Sequence, residues 1–373
     1  MQASWGPWAD LANVSGGFLD EMLLLPESPH GLRVTTALIY SLVCALGLTG
    51  NLLVLRLAAG TGWRGQAAGD RLVFQLALAG IQLALALPFW AAELALDYTW
   101  PFGHAMCKLV LSVTVLSVYA NAFFLTALSV GRYRAAAGRD LRPRRGAICW
   151  VTSAIWLGAG IASLPAAIYA QTISVNGEEL CIQRYPDSWH WSEVYKLQRI
   201  ALTFLAPVVA IGISYAQLLR LLRGRESGVT RPSPARLMPT IAAAFFLCWL
   251  PNHAIALWEV LVRLGAVPWG PPYLAAHTYV HPLTICLANA NSCFNPILYC
   301  LARREFRRTL RADLARLAQR RHPLGCPRSS SSSPRPGGHG APDLPLHQLD
   351  SQANCSSGHC TPSPNTSVAA QEI

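Results

Sequence analysis

Charge is scarce in this 373-residue chain: Asp, Glu, Lys and Arg make up 13% of it, against about 25% in a typical soluble domain. Hydrophobic residues reach 52%, so much of the surface is not built for water. The chain also lacks a phosphate-binding glycine loop, a nucleophile elbow and any His/Cys spacing suited to a metal. An enzyme therefore finds no support, and no cofactor is expected. His253, His277 and His281 read as pocket or packing residues rather than metal ligands. Paired repeats and mid-span charges are missing too, which argues against a transporter. No cleavable leader opens the chain, so its first apolar segment is expected to act as the membrane signal. The net charge of +11 would suit nucleic acid if it lined one face, but it is sorted by side of a membrane instead, and no nucleic-acid partner is expected.

What the chain does have is seven long stretches free of Asp, Glu, Lys and Arg: 34–55, 72–92, 109–131, 147–177, 200–219, 237–258 and 264–302. A helix of about 20 apolar residues crosses a ~30 Å hydrocarbon core, so each stretch can span it. Pro88, Pro165, Pro207, Pro251 and Pro296 lie within them, as prolines do in membrane helices more than in soluble ones. In the last stretch Pro268, Pro271 and Pro272 read as a loop ahead of the helix. The expected fold is an all-α membrane protein, a seven-transmembrane helix bundle. Its expected parts are an extracellular segment 1–32, the bundle 33–302, a short amphipathic eighth helix on the membrane surface at 303–320, and a disordered cytoplasmic tail 321–373.

Basic residues set the orientation. With the N-terminus outside, six of the 30 Lys and Arg face out: Arg33, Lys108, Arg184, Lys196, Arg199 and Arg263. Eleven of the 19 acidic residues join them, leaving the outer side at −5 and the inner side at +16. The opposite topology would violate the positive-inside tendency. The inner excess suits anionic lipid heads and an acidic partner. Asn13-Val14-Ser15 is a glycosylation sequon on the outer side. Of 11 cysteines only Cys107 and Cys181 sit at outer membrane edges, where thiols oxidise, and they are expected to form a disulfide; two free thiols are the alternative.

Particular residues recur at particular places in the spans. They are Gly50-Asn51, Gly131-Arg132-Tyr133, Trp156, Pro207 with Tyr215, Cys248-Trp249-Leu250-Pro251 and Asn295-Pro296-Ile297-Leu298-Tyr299. The whole set, in order on seven spans, resembles the rhodopsin-like (class A) G-protein-coupled receptors over roughly residues 34 to 310. Pro251 removes a helical hydrogen bond and makes a hinge, with Trp249 below it as a sensor of ligand. The resemblance implies that Arg132, at the inner edge, contacts the G protein once the sixth helix moves, with Tyr215 and Tyr299 closing a polar network around it. It also implies a plasma-membrane location, with arrestin and receptor kinases as further partners.

At the outer end, Glu93 and Asp97 are four residues apart, expected on one helix face a turn apart. Two such carboxylates at the mouth of a pocket favour a cationic ligand, arginine above all. Arg199, near the top of the fifth helix, would suit an anionic group. Solvated helix-end charges are the plainer reading of the two acids. Segment 87–103, with Trp90, Glu93, Asp97 and Trp100-Pro101-Phe102-Gly103, looks like the relaxin-3 (insulin-like peptide) receptors of the relaxin family peptide receptors. So do Gly177-Glu178-Glu179-Leu180-Cys181 and the segments 245–252 and 291–296. This implies a two-chain, insulin-like peptide hormone as ligand, with Glu93 and Asp97 on its arginines, Trp90 an aromatic contact and Arg199 on its terminal carboxylate. It also implies coupling to the inhibitory G protein and lowered cyclic AMP. A chemokine or another basic peptide is the rival ligand.

The chain departs from the class at three places. Gly80 stands where most such receptors hold a sodium-binding carboxylate, so Asn121, Asn291, Ser292 and Asn295 must satisfy one another or hold water. Gly131 stands where an acid often restrains Arg132. Pro239 is expected to shorten or kink the inner end of the sixth helix. Together these raise a non-signalling, scavenging receptor as the alternative.

Overall fold

Helix forms wherever the sequence offers a long uncharged stretch, because a backbone in hydrocarbon must satisfy its own hydrogen bonds. The computed structural model describes residues 29–60, 68–138, 145–175, 177–186, 190–224, 233–302 and 311–312. Four helices come first: α1 His30–Gly60, α2 Ala68–Ala95, α3 Gly103–Ala136 and α4 Arg145–Tyr169. The fifth, α5, joins Trp191–Ile200 to Ala206–Gly224 through a wide turn, Ala201–Leu205. Helix α6 is Ser233–Arg263. The seventh, α7, joins Pro271–Ala275 to His281–Ala302 through a second wide turn, Ala276–Val280. In both wide turns the backbone N–H bonds five residues back, from Ala206 to Ala201 and from His281 to Ala276.

Among the described residues six helices, α1 to α6, are long and apolar enough to cross a membrane. The 22 residues of His281–Ala302 rise about 33 Å, enough for a ~30 Å core. Helix α3 runs through the middle, packed on α2, α4 and α5, and α7 packs on both α1 and α6. Accordingly α3 buries side chains along most of its length, from Cys107 to Ser129. Helix α4 is peripheral: Trp150, Leu157, Ile161, Leu164 and Ile168 are exposed on it, which suits contact with lipid.

Three expectations meet the structure differently. The uncharged stretch 147–177 is not one span: α4 ends at Tyr169 and the chain continues as an antiparallel hairpin, β1 Ala170–Val175 and β2 Glu178–Gln183. The signal was the dipeptide Asn176-Gly177 after β-branched Thr172, Ile173 and Val175; Gly177 adopts φ 87, which a tight hairpin loop demands. Lack of charge does not separate strand from helix. Pro239 does not shorten α6, which runs as helix from Ser233 to Arg263; a proline costs a helix one bond, and the rest of the ladder continues past it. Of the amphipathic segment 303–320 only Arg311 and Ala312 are described, both helical and exposed. The tail 321–373 and Asn13 lie outside the described residues.

The Cys107–Cys181 disulfide is formed, with Cα atoms 5.6 Å apart, and ties the top of α3 to β2. Trp100 N–H donates to Glu179 O at 2.7 Å, fastening the α2–α3 connection to the same hairpin.

In the middle of the bundle Gly80 of α2 lets the Asn51 amide lie against its backbone. A Cβ at residue 80 would come within 2.8–2.9 Å of all three head atoms of Asn51. That amide donates to Gly47 O at 2.8 Å and to Ser292 O at 3.2 Å, so it joins α1 to α7. The Asn51 head fills the space a side chain at residue 80 would need, and the buried Asn121, Asn291, Ser292 and Asn295 are neutral. A sodium ion, which the class resemblance implies, does not fit this donor set.

Two outcomes follow from this packing. Gly80→Ala is expected to destabilise the purified protein by about 1–3 kcal/mol through overpacking, read as a lowered Tm in detergent. Agonist affinity is expected to be equal in sodium and in matched potassium, measured by competition binding; a drop specific to sodium contradicts the fit. Replacing both Cys107 and Cys181 by Ser should lower stability by about 2–4 kcal/mol, read as a lowered Tm in detergent.

Candidate functional site

The acidic candidates lie at the C-terminal end of α2. Glu93 lies in its last turn, but the helix stops at Ala95. Asp97 then takes the left-handed conformation, φ 54, and Tyr98 N–H bonds back to Glu93 O at 2.8 Å, closing the helix end. Glu93 and Asp97 therefore do not share a helix face as their spacing suggested. Further on, Pro101 disfavours helical backbone at Trp100, whose N–H bonds to the hairpin instead. Aspartate tolerates the left-handed region better than most residues.

The two acids have different surroundings. Asp97 pairs with Arg33 of α1 at 2.5 Å. Glu93 is half-buried and makes no ion pair among the described residues. Its charge reaches the buried Tyr40 of α1. Trp90, one turn before Glu93, is half-buried and held in place: its indole N–H donates to Thr114 Oγ1 at 2.9 Å and its ring sits 5.7 Å from that of Trp100.

The basic side is Arg199 of α5. Its charge acts on Tyr119 of α3 and on Tyr185 and Tyr195. No carboxylate among the described residues pairs with it. The buried hydroxyls of Tyr119 and Tyr195 approach each other without closing a well-formed hydrogen bond. Burial and neighbouring Tyr195 push the Tyr185 phenol up from its ordinary value, so it stays neutral beside the guanidinium.

The neighbouring cations are already engaged. Lys196 of α5 pairs with Glu259 of α6, and Arg263 reaches both Glu259 at 3.5 Å and Glu193 at 3.6 Å. This network clamps the outer ends of α5 and α6. Sequence reading missed it, as it missed Arg33; helix-period spacing links Glu259 to Arg263, but nothing local links either to α5.

Below Arg199 the wide turn of α5 carries Thr203 and Phe204 against α6. The Thr203 hydroxyl donates to Arg199 O at 2.7 Å, so its contact with His253 Nε2 at 3.3 Å is one in which the imidazole donates. The His253 ring stacks on Trp249 with centroids 5.5 Å apart, and Phe245 lies 6.3 Å from the same indole. Trp249, Asn295 and Pro296 are buried; Pro251, Arg132, Tyr133 and Tyr215 are half-buried. The side chain of Tyr299 lies outside the described residues. Trp156 N–H donates to Gln75 Oε1 at 2.9 Å, joining α4 to α2.

Glu93 on α2 and Arg199 on α5 make no ion pair among the described residues, and the chain that carries them has known relatives. The family described as "7 transmembrane receptor (rhodopsin family)" matches residues 50–299. Relaxin-3 receptor 2 of Homo sapiens is 44% identical over 328 residues, 84% of this chain and 86% of that protein. Relaxin-3 receptor 1 of Homo sapiens is 41% identical over 329 residues, 77% of this chain and 70% of that protein. More distantly, the type-2 angiotensin II receptor of Rattus norvegicus is 31% identical, covering 69% of this chain and 75% of that protein. These relatives are receptors, not enzymes. The chain belongs to the rhodopsin family of seven-transmembrane receptors, close to the relaxin-3 receptors within it.

Proposed function

We propose that this receptor binds a relaxin- or insulin-like peptide hormone outside the cell, couples to the inhibitory G protein and lowers cyclic AMP. The names of the relatives favour that ligand class. The observation that carries the reading is that Glu93 on α2 and Arg199 on α5, both half-buried, make no ion pair among the described residues. A half-buried charge without a partner costs stability, and a ligand that supplies the partner recovers it. A peptide with an arginine and a terminal carboxylate supplies both, and the fixed indole of Trp90 offers it an aromatic surface. Asp97 shapes the same acidic edge.

The signal runs inward through Trp249 and the hinge at Pro251, opening a path to Arg132 and Tyr133. Tyr215, Asn295, Pro296 and Tyr299 complete the inner polar set. The N-terminus is extracellular, supported by the −5 and +16 charge split, and Asn13 carries glycan there. Arrestin and receptor kinases act on the inner face after activation. Of the two effects expected of Pro239, shortening does not occur, because α6 is continuous through it.

The test is a cyclic AMP assay in cells expressing the receptor and challenged with relaxin-3 and other insulin-like peptides. Inhibition of stimulated cyclic AMP is expected. Peptide uptake without G-protein activation would select the scavenging reading. Glu93→Gln and Arg199→Gln are each expected to weaken peptide potency about 10- to 100-fold, the worth of a hydrogen bond to a charged group. Full binding by both variants would refute the assignment.

A further inference from the structure

A buried indole N–H usually finds an acceptor. That of Trp249 has none among the described residues, although the side chain is only 4% exposed. Its orientation therefore rests on the rings packed against it. His253, one turn along α6, stacks on it with centroids 5.5 Å apart and planes at 20°, and Phe245 lies one turn the other way at 6.3 Å. The imidazole is in turn held from α5. Phe204 packs on it at 5.1 Å, and its Nε2–H donates to the Thr203 hydroxyl at 3.3 Å. That hydroxyl gives its own proton to the Arg199 carbonyl at 2.7 Å. Thr203, His253 and Trp249 are all buried, where a hydrogen bond is stronger than in water.

We infer that His253 is a positioning residue for Trp249: bonded to Thr203 on one side and stacked on the indole on the other, it converts a shift of the α5 wide turn into a reorientation of Trp249. The inference rests on the peptide-receptor reading above and gives Arg199 a route inward. A carboxylate drawn to the Arg199 side chain pulls on the residue whose carbonyl Thr203 holds. The wide turn Ala201–Leu205 follows directly, and carries Thr203 and Phe204 with it. The bond and the stack act in series. Loss of either breaks the link, and loss of both costs no more than loss of one.

The experiment measures two quantities on full-length receptor in intact cells, both normalised to surface expression. Affinity is read by competition binding of labelled relaxin-3, and efficacy by sensors for each G-protein class. Thr203→Val keeps the shape and removes the hydroxyl; His253→Phe keeps a ring and removes the donor. Each is expected to lower efficacy about three- to tenfold, the worth of one hydrogen bond, with affinity within about threefold of the unmodified receptor. The Thr203→Val, His253→Phe double variant should signal no worse than either single one. Thr203→Ser restores the hydroxyl and should signal within about twofold of the unmodified receptor. His253→Gln keeps a donor but loses the ring, and should signal as weakly as His253→Phe.

Full efficacy in Thr203→Val and His253→Phe overturns the inference. An additive double variant overturns it as well, because the two residues then act separately. Full signalling by His253→Gln removes the stack from the route and overturns it too. A loss of affinity that matches the loss of efficacy in His253→Phe does the same, because the ring then meets the peptide itself. The underlying reading fails separately. If the unmodified receptor does not bind relaxin-3, or binds it and activates no G protein, reading and inference fall together. Activation of a class other than the inhibitory one, lost in the same variants, supports the inference and corrects the reading. Weakened binding in Glu93→Gln and Arg199→Gln with normal signalling in the Thr203 and His253 variants removes this inference alone.

Discussion

Hydrocarbon offers no hydrogen-bond partner to a peptide group and no solvation to a charge, and each part of this receptor answers to that constraint. The backbone meets it by staying helical through each span. Hydroxyls inside the spans meet it locally, as when Thr36 donates to Leu32 O at 2.8 Å and Ser214 to Ala210 O at 2.7 Å. Even the two wide turns keep a bond from each end, five residues apart rather than four. Their use is positional. The turn in α5 brings both Thr203 and Phe204 against α6, where a regular helix would turn one of them away.

The same constraint sorts the charges of the outer mouth into two kinds. Glu193, Lys196, Glu259 and Arg263 answer one another and lock α5 to α6. Arg33 and Asp97 answer each other and join α1 to the end of α2. Glu93 and Arg199 are answered by neither group. In the proposed reading Glu93 and Arg199, which make no ion pair among the described residues, are where a ligand contributes energy.

Deeper in the bundle the receptor has given up a carboxylate and filled its place. Gly80 and Asn51 form a matched pair: the missing side chain on α2 is the volume occupied by the amide from α1. The interior keeps its polar groups but no net charge among them, so its rearrangement depends on packing and neutral hydrogen bonds. The contact of Thr203 with His253, and of His253 with Trp249, links the ligand end of α5 to the hinge in those terms.

Fold class and the disulfide partners were legible in the sequence because they follow from local quantities: long uncharged stretches and the level at which Cys107 and Cys181 sit. Glu93, Arg199, Trp90 and Trp249 stand out in the sequence as candidates on the same kind of ground, as unusual residues for their depth. Pairing could not. Arg33 and Asp97 are 64 positions apart, Lys196 and Glu259 63, and Asn51 reaches a carbonyl 241 residues on. Nothing in a residue's own neighbourhood states which distant side chain will stand beside it. The spacing of Glu93 and Asp97 misled as well: the helix ends between them, and beyond it Trp100 bonds to the hairpin. Depth in the membrane is a property of a segment, whereas whether a charge is satisfied depends on how the helices close around it.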